Sequence, residues 1–328
     1  MMRTTLLFLS RQRWLRHWME TSSFAQPLTR RFIAGRTLDE ELAVCRRLEA
    51  ENILATLDHL GENVSTLEES RASRESYLQI LDRIATAGLR ATISAKPTQL
   101  GLDLGEDVCL DHVCALVERA RSLGSGVEID MEASEYVDRT LRVVSTVHQR
   151  HGSVRAVIQA CLYRSEKDID SLIAAGIPVR LVKGAYREPA TVAWPKKPDV
   201  DTSFLRLTKQ LLERGTNPAI ATHDASIIGE TVRWTRARKV EPGRFEFQML
   251  YGIRRDLQRQ LACDGFRVRL YVPYGDAWYP YFMRRLAERP ANVLFLARNL
   301  LRAGVQHSAA GQGDVGQVCN LRADFQSA

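Results

Sequence analysis

Residues 271–290, YVPYGDAWYPYFMRRLAERP, combine a short apolar strand, a turn and a helix. If the proline near the start of the helix lies in its first turn, where a missing N–H costs nothing, Tyr281, Arg284, Arg285 and Glu288 share one helical face. Two neighbouring guanidiniums beside a tyrosine suit a carboxylate ligand, because planar donors match carboxylate oxygens in pairs. Taken alone, the stretch still favours a solvated surface helix, since arginine is mostly exposed in proteins.

The same order of strand and helix recurs upstream of this stretch. Apolar runs bounded by turn residues alternate with segments in which apolar residues recur at helical spacing. Eight strands, each followed by a helix, predict an α/β fold, a (β/α)8 barrel of the TIM type with helices covering the strands from outside. A doubly wound sheet is the competing architecture, but the chain has no GxGxxG and no GxxxxGK[ST] phosphate loop. The predicted strands are 53–62, 89–97, 126–132, 154–163, 177–186, 217–224, 244–250 and 266–275, and the predicted helices are 37–51, 73–88, 106–123, 135–151, 165–176, 202–214, 225–240, 253–265 and 279–289.

Composition and charge fit a globular enzyme and disfavour several other classes. Of the 328 residues 45% are hydrophobic, enough for a sizeable core, and 46 Lys and Arg against 39 Asp and Glu give a net charge of +7. The basic residues are dispersed, so we predict no nucleic-acid partner. The six cysteines form no CxxC pattern, so we predict reduced thiols in a cytoplasmic protein without a metal site. No segment approaches the ~18 uninterrupted apolar residues of a membrane span, so any membrane contact is expected to be peripheral.

The barrel domain is predicted to cover residues 37–307, with a short segment on each side. Residues 1–36 are expected to form a basic helical segment, because the apolar run Leu6–Leu9 is too short for a signal peptide and arginines follow it at once. Residues 308–328 show no periodicity and are expected to be disordered.

Polar residues cluster at the predicted C-terminal ends of the strands, where the sites of this architecture lie. Each alone has a structural explanation, since a buried Gln or Thr often satisfies a backbone group and Lys96 can pair with Asp130. So many charged groups at one mouth would be costly without a ligand. A Schiff-base aldolase, with Lys96 or Lys183 as nucleophile, stays open on residue types alone. The cluster comprises Lys96, Asp130, Gln159, Arg180, Lys183, Thr222, His223, Asp224, Gln248 and Tyr271.

Motifs on almost every predicted strand resemble those of one enzyme family, in the same order. The series is similar to the flavin-dependent proline dehydrogenases, and to their single-activity bacterial form in particular, from about residue 31 to residue 299. The motifs are KPTQLGL (96–102), EIDME (128–132), VIQACLYR (157–164), RLVKGAYRE (180–188), KKPDVD (196–201), ATHD (221–224), FEFQMLYG (245–252), YVPYG (271–275) and YPYFMRRLAERPANV (279–293).

This resemblance implies a distorted (β/α)8 barrel whose last helix, 279–289, lies over the barrel mouth. The implied activity is oxidation of L-proline to Δ1-pyrroline-5-carboxylate, with hydride transfer to FAD and electrons passed on to a quinone, the first step of proline catabolism to glutamate. The implied partners are L-proline, the quinone, a peripheral contact with the inner face of the membrane, and a downstream pyrroline-5-carboxylate dehydrogenase.

The resemblance also implies residue roles at the substrate site. Positive side chains would hold the proline carboxylate, apolar and aromatic side chains would shape the ring pocket, and Lys96, Asp130 and Arg180 would be the catalytic residues. The implied substrate-binding residues are Lys96, Leu250, Tyr271, Tyr281, Arg284 and Arg285.

For the flavin, the resemblance implies that Arg180 reaches the N5 region and that Gln159 lies at the ring edge. Lys183 then lines the cofactor and loses its claim as an aldolase nucleophile. A barrel that binds a ligand without turnover remains as a second hypothesis. The implied cofactor-binding residues are Asp130, Met131, Gln159, Arg180, Val182, Lys183, Gly184, Ala185, Thr222 and His223.

Overall fold

The chain folds into a closed barrel of eight parallel strands in the computed structural model, which describes residues 31–61 and 63–288, except for the side chains of 284–288. Each strand pairs with its neighbours in the sequence, and the last strand pairs with the first. The predicted (β/α)8 barrel is therefore confirmed. The barrel forms one compact unit, Arg30–Trp278, and the described residues from Tyr279 onward belong to a second unit.

The observed elements follow the predicted order. The strands are β1 (Leu54–His59), β2 (Ala91–Ala95), β3 (Val127–Ile129), β4 (Val154–Gln159), β5 (Val179–Val182), β6 (Ala219–Ala221), β7 (Glu246–Leu250) and β8 (Val268–Tyr274). The helices are α1 (Leu38–Ala50), α2 (Leu67–Thr86), α3 (Glu106–Ser122), α4 (Val137–His151), α5 (Ser165–Ala174), α6 (Lys197–Arg214), α7 (Ala225–Ala237), α8 (Arg255–Cys263) and α9 (Trp278–Glu288).

Helix starts are where the sequence prediction is least accurate. Helix α2 begins at Leu67 and not at residue 73, because Thr66 and Glu69 form a capping box that satisfies the free N–H groups of the first turn. Helix α6 begins at Lys197 and not at residue 202, with Pro198 in the first turn, where proline is tolerated.

Contacts between strands that are not adjacent identify the side chains that fill the barrel. Arg180 of β5 donates to Ser94 of β2 at 2.7 Å and to Gln248 of β7 at 3.3 Å. Because β2, β5 and β7 are not neighbours in the closed order, these side chains meet inside the barrel. Side chains alternate along a strand, so Leu57 and Ile93 face the outer helices and are fully buried there. The barrel interior is therefore polar, whereas branched apolar residues usually fill such barrels.

The predictions for the last helix, the N-terminal segment and the C-terminal tail are not tested by the contacts within the barrel. The predicted last helix is present as α9, but its position over the mouth involves both units and stays a prediction. The basic helical segment lies almost wholly in residues 1–30, outside the described residues, as does the tail 308–328. No helix within 31–61 or 63–288 is long and apolar enough to cross a membrane.

Candidate active site

Asp130, which directly follows β3, is a point where three donors converge. Its carboxylate accepts hydrogen bonds from the Ser94 hydroxyl at 3.0 Å and the Tyr271 hydroxyl at 2.8 Å, and it also pairs with the Arg180 guanidinium. The guanidinium lies over the Tyr271 ring, 5.5 Å from its centroid. Burial first, and then the negative charge of Asp130, raises the pKa of the Tyr271 hydroxyl. Tyr271 therefore remains a neutral donor.

Arg180 is almost completely buried and its guanidinium is held on both Nη atoms. One Nη donates to the Gln248 amide oxygen at 3.3 Å and lies 2.7 Å from Glu128, and the other donates to Ser94 and Asp130. Burial alone would lower the pKa of Arg180, but Glu128 and Asp130 outweigh burial and raise it. We call Arg180, Glu128 and Asp130 the interior cluster. Within this cluster the Arg180 guanidinium stays charged and is held in one orientation.

Lys96, the residue after β2, lies beside Asp58 of β1 with 3.6 Å between ammonium and carboxylate. The Asp58 side chain is 1% exposed and that of Lys96 is 12% exposed, so the pair lies within the barrel mouth. The suggested ion pair between Lys96 and Asp130 is replaced by two separate pairs, since Asp130 contacts Arg180. Asp58 is not among the predicted site residues, although its place near the end of a strand, two residues after the inward-facing Thr56, was an available signal.

Lys183 lies at the rim of the mouth with a second lysine and two aspartates. Its ammonium is 2.5 Å from Asp201 and 3.0 Å from Asp224, and Lys197 also contacts both carboxylates. We call these four residues the rim cluster. A Schiff-base lysine must present a free amine. The two ion pairs of Lys183 therefore do not favour it as a nucleophile.

Gly184 allows the ends of β4 and β5 to approach each other closely. Its φ of +107° lies in the region that favours glycine, and a Cβ there would overlap the Cys161 sulfur and come within 3.3 Å of the Gln159 amide oxygen. The Gln159 amide donates to the Glu132 carbonyl at 2.8 Å, which fixes its orientation. Residue 184 must therefore be glycine for the Cys161 and Gln159 side chains to pack against the backbone after β5.

The end of β6 is joined to the end of β7 through a histidine. The backbone N–H of Leu250 donates to Nε2 of His223 at 2.7 Å, so this nitrogen is the unprotonated one. The backbone N–H of Thr222 donates to the Gln248 carbonyl at 3.1 Å, and the Thr222 hydroxyl accepts from the backbone of Asp224. Thr222, His223 and Leu250 thus form one connected edge of the mouth.

The remaining predicted residues have different surroundings. Met131 and Val182 pack in a small apolar cluster with Val157 and Leu162, and Ala185 is exposed after β5. Tyr281 is buried in α9, in the second unit. The side chains of Arg284 and Arg285 lie outside the described residues, so their role stays a prediction.

Two carboxylates that sequence analysis did not select lie among the interior residues. Glu128 of β3 contacts Arg180 directly, and Glu246 of β7 contacts Arg155 and Arg269, each at 2.9 Å. The signal was available for Glu128, because it is two residues before Asp130 and so shares its side of the strand. Among the described residues, no group of three or more His, Cys, Asp or Glu side chains could hold a metal ion.

Comparison with known proteins identifies one family. The family model described as "Proline dehydrogenase" matches residues 42–298. The chain is 39% identical over 303 residues to "Proline dehydrogenase 1" of Bacillus subtilis (strain 168), covering 92% of this chain and 100% of that protein. It is also 39% identical over 280 residues to "Proline dehydrogenase" of Deinococcus radiodurans, covering 84% and 90%.

Solved structures agree on the fold. The proline utilization A (PutA) structure from Bdellovibrio bacteriovorus superposes with a TM-score of 0.76 at 24% identity, covering 85% of this chain and 34% of that one. At this level of identity the superposition shows a shared barrel and no more.

Proposed function

The chain belongs to the proline dehydrogenase family and oxidises proline in proline catabolism, and from this premise we propose that FAD is its hydride acceptor, a quinone the next acceptor, and Δ1-pyrroline-5-carboxylate its product. The observation that carries the proposed site is the convergence of Arg180, Ser94 and Tyr271 on Asp130 at the barrel mouth. This is a rigid, charged arrangement at the end of the barrel where ligands bind.

The residues at the mouth fit a flavin in two respects. The Gln159 amide is fixed in one orientation beside Gly184, and the Arg180 guanidinium is likewise held in one orientation. When bound, FAD supplies a two-electron acceptor that takes hydride at its N5 atom. We assign its binding to Gln159, Val182, Lys183, Gly184, Ala185, Thr222 and His223, with Asp130 and Met131 nearby and Arg180 toward N5.

Proline binding requires that one ring carbon be held at a fixed position, because hydride transfer needs reacting atoms roughly 3–3.5 Å apart. Lys96 would hold the carboxylate, together with Arg284 and Arg285 of α9. Leu250, Tyr271 and Tyr281 would bound the ring. The Asp58 carboxylate keeps the Lys96 ammonium within the mouth, at 3.6 Å, and so limits where the proline carboxylate can lie.

Asp130 has an orienting role in this proposal. Its carboxylate already accepts from Ser94, Tyr271 and Arg180, so it is less suited to remove the proton of the proline amine. Asp130 and Glu128 act instead by keeping Arg180 in place. The Arg180 charge would then stabilise the negative charge that reduction adds to the flavin. In this proposal Lys96 and Arg180 are the catalytic residues that would face substrate and flavin, and Asp130, predicted with them, positions Arg180.

The test of this function uses the purified full-length protein. A bound yellow flavin should be bleached when L-proline is added without oxygen, and the product should be Δ1-pyrroline-5-carboxylate. Bound flavin that L-proline does not bleach would contradict the proposal. D-proline serves as the matched control, because it presents the same functional groups in a geometry that the fixed carboxylate site should reject.

Two further proposals concern the fate of the electrons and of the product. A peripheral contact with the inner face of the membrane would give access to the quinone, and a pyrroline-5-carboxylate dehydrogenase would consume the product. Vesicles loaded with a quinone test the membrane contact, because they should reoxidise the reduced protein in the absence of oxygen.

The family does not favour the aldolase and non-catalytic alternatives. If borohydride traps no adduct between a lysine and the substrate, the aldolase alternative is excluded.

A further inference from the structure

Gln248 lies between the cation of the interior cluster and two buried carboxylates. Its amide oxygen accepts from Arg180 at 3.3 Å, and its amide nitrogen donates to Glu246 at 2.7 Å and to Glu128 at 3.1 Å. The Gln248 side chain is 3% exposed. A single amide orientation satisfies all three contacts, because the oxygen must face the guanidinium and the NH2 group must face the carboxylates.

Glu246 is the fixed end of this chain of contacts. It is 2% exposed, and the guanidiniums of Arg155 and Arg269 each lie 2.9 Å from the same carboxylate oxygen that Gln248 contacts. Burial alone would raise the pKa of Glu246, but Arg269 and Arg155 outweigh burial and lower it. Glu246 therefore stays charged, and it holds the amide of Gln248 in one place.

The chemistry of this position requires an amide. Leucine could fill the volume but would leave Arg180 and Glu128 each without one contact. Ionised glutamate could accept from Arg180 but could not donate, and it would bring a third negative charge beside Glu128 and Glu246. Glutamine accepts on one side and donates on the other, and of the two forms of glutamic acid only the protonated one can do both.

We propose that Gln248, held by Glu246, is a positioning residue that sets the orientation of the Arg180 guanidinium for hydride transfer in proline oxidation. This inference rests on the proposed function, because it takes Arg180 to face the flavin. Gln248 does not touch the substrate in this proposal. It acts through Arg180: Gln248 contacts both one Nη atom and the Glu128 carboxylate that pairs with this same Nη, while Ser94 and Asp130 hold the other Nη.

The test compares Gln248→Leu and Gln248→Glu with the wild-type holoenzyme. In Gln248→Leu, the rate constant of flavin reduction by proline should fall about ten- to a hundredfold, as expected for loss of a hydrogen bond to a charged group, with KM for proline unchanged. The flavin midpoint potential should shift to a more negative value, because a less well placed cation stabilises the reduced flavin less. The potential is a readout that does not depend on turnover.

Gln248→Glu gives a pH signature that a purely structural role would not give. As the pH falls and the new carboxyl becomes protonated, it regains a donor, so the reduction rate should recover relative to wild type at the same pH. Gln248→Leu should show no such recovery. If Gln248→Leu fails to bind flavin, the recovery in Gln248→Glu still decides the question.

Gln99→Leu is the matched control. Gln99 is also a buried glutamine, which donates to the His59 carbonyl at 3.0 Å and accepts from the Tyr77 hydroxyl at 3.1 Å. Its loss should lower the melting temperature without moving the flavin potential. The inference is overturned if Gln248→Leu lowers only the melting temperature, or if Gln248→Glu shows no recovery. Failure of the wild-type flavin to bleach would instead contradict the proposed function.

Discussion

The interior cluster and the rim cluster are both made of ion pairs at the C-terminal end of one barrel, but they differ in burial. The Arg180 and Glu128 side chains are each 4% exposed, whereas Lys183 and Asp201 are 25% and 24% exposed. Water screens charges at the rim, so the ion pairs there can change partners at little cost and contribute little to stability. Charges in the interior are shielded from water and depend on each other and on the Ser94, Tyr271 and Gln248 side chains. The fixed geometry of the mouth therefore comes from the interior cluster, and the rim is free to respond to a ligand.

Arg180→Met should give the largest effect on stability. It removes the cation that pairs with Asp130 and leaves Glu128 with the more distant Arg155, at 3.8 Å, so the free energy of unfolding should fall by about 3–5 kcal/mol. Urea denaturation of the flavin-free protein at pH 7 measures this. The control is Arg142→Met, because Arg142 pairs with Glu106 at 2.7 Å with side chains 58% and 34% exposed, and its loss should cost less than about 1 kcal/mol. Equal losses in the two variants would refute the distinction by burial.

Lys96→Met tests whether the half-buried lysine of the mouth serves substrate binding. The KM for L-proline should rise roughly ten- to a hundredfold, as expected for loss of a charged hydrogen bond of about 1.5–3 kcal/mol, while kcat falls less. Steady-state kinetics with an artificial electron acceptor measures both constants. Lys183→Met, assayed with saturating FAD, is the control and should leave KM nearly unchanged. A KM that rises equally in both variants would mean that the rim also binds the substrate carboxylate.

Glu41→Gln tests a buried carboxyl outside both clusters. Glu41 of α1 is fully buried, and among the described residues no side chain pairs with its carboxyl group, which faces the backbone of Asp58. Burial first, and then the charge of Asp58, raises the pKa of Glu41 well above its usual value. A raised pKa in the folded state means that wild-type stability declines as the pH rises from the unfolded-state pKa, near 4.5, toward the folded-state pKa.

Glutamine mimics the protonated carboxyl and has no such decline. At pH 7 Glu41→Gln should therefore be more stable than wild type by about 1 kcal/mol or more, and the difference should disappear below about pH 4. Thermal unfolding across this pH range measures it. Glu246→Gln gives the contrast, because that carboxylate is paired with Arg155 and Arg269 and its neutralisation should destabilise the protein at pH 7. A stability difference for Glu41→Gln that does not change with pH would show that Glu41 is not the titrating group.

The sequence predicted the barrel because each strand and helix carries its own periodicity. The positions of Asp130 and Arg180 on the third and fifth predicted strands also suggested that they lie in one cluster, and the two side chains are in contact. The partners of these residues could not be predicted, since Gln248 reaches Arg180 only when closure of the barrel brings β7 and β5 to the same interior. Local signals were available in three cases, the capping box at Thr66 and the strand positions of Asp58 and Glu128. Long-range pairing needed the three-dimensional structure.

Lys183→Met should have the smallest effect on stability. The variant leaves Lys197 to pair with Asp201 and Asp224, and water reaches all three, so the free energy of unfolding at pH 7 should change by less than about 1 kcal/mol. Burial alone would raise the pKa values of Asp201 and Asp224, but Lys183 and Lys197 outweigh burial and lower them. The small loss of stability in the variant should therefore appear above the usual aspartate pKa and vanish in acid. Urea denaturation at pH 7 and pH 3 measures this, and FAD titration of the same protein should show weaker binding. A loss as large as that of Arg180→Met would mean that the rim, too, is fixed by its ion pairs.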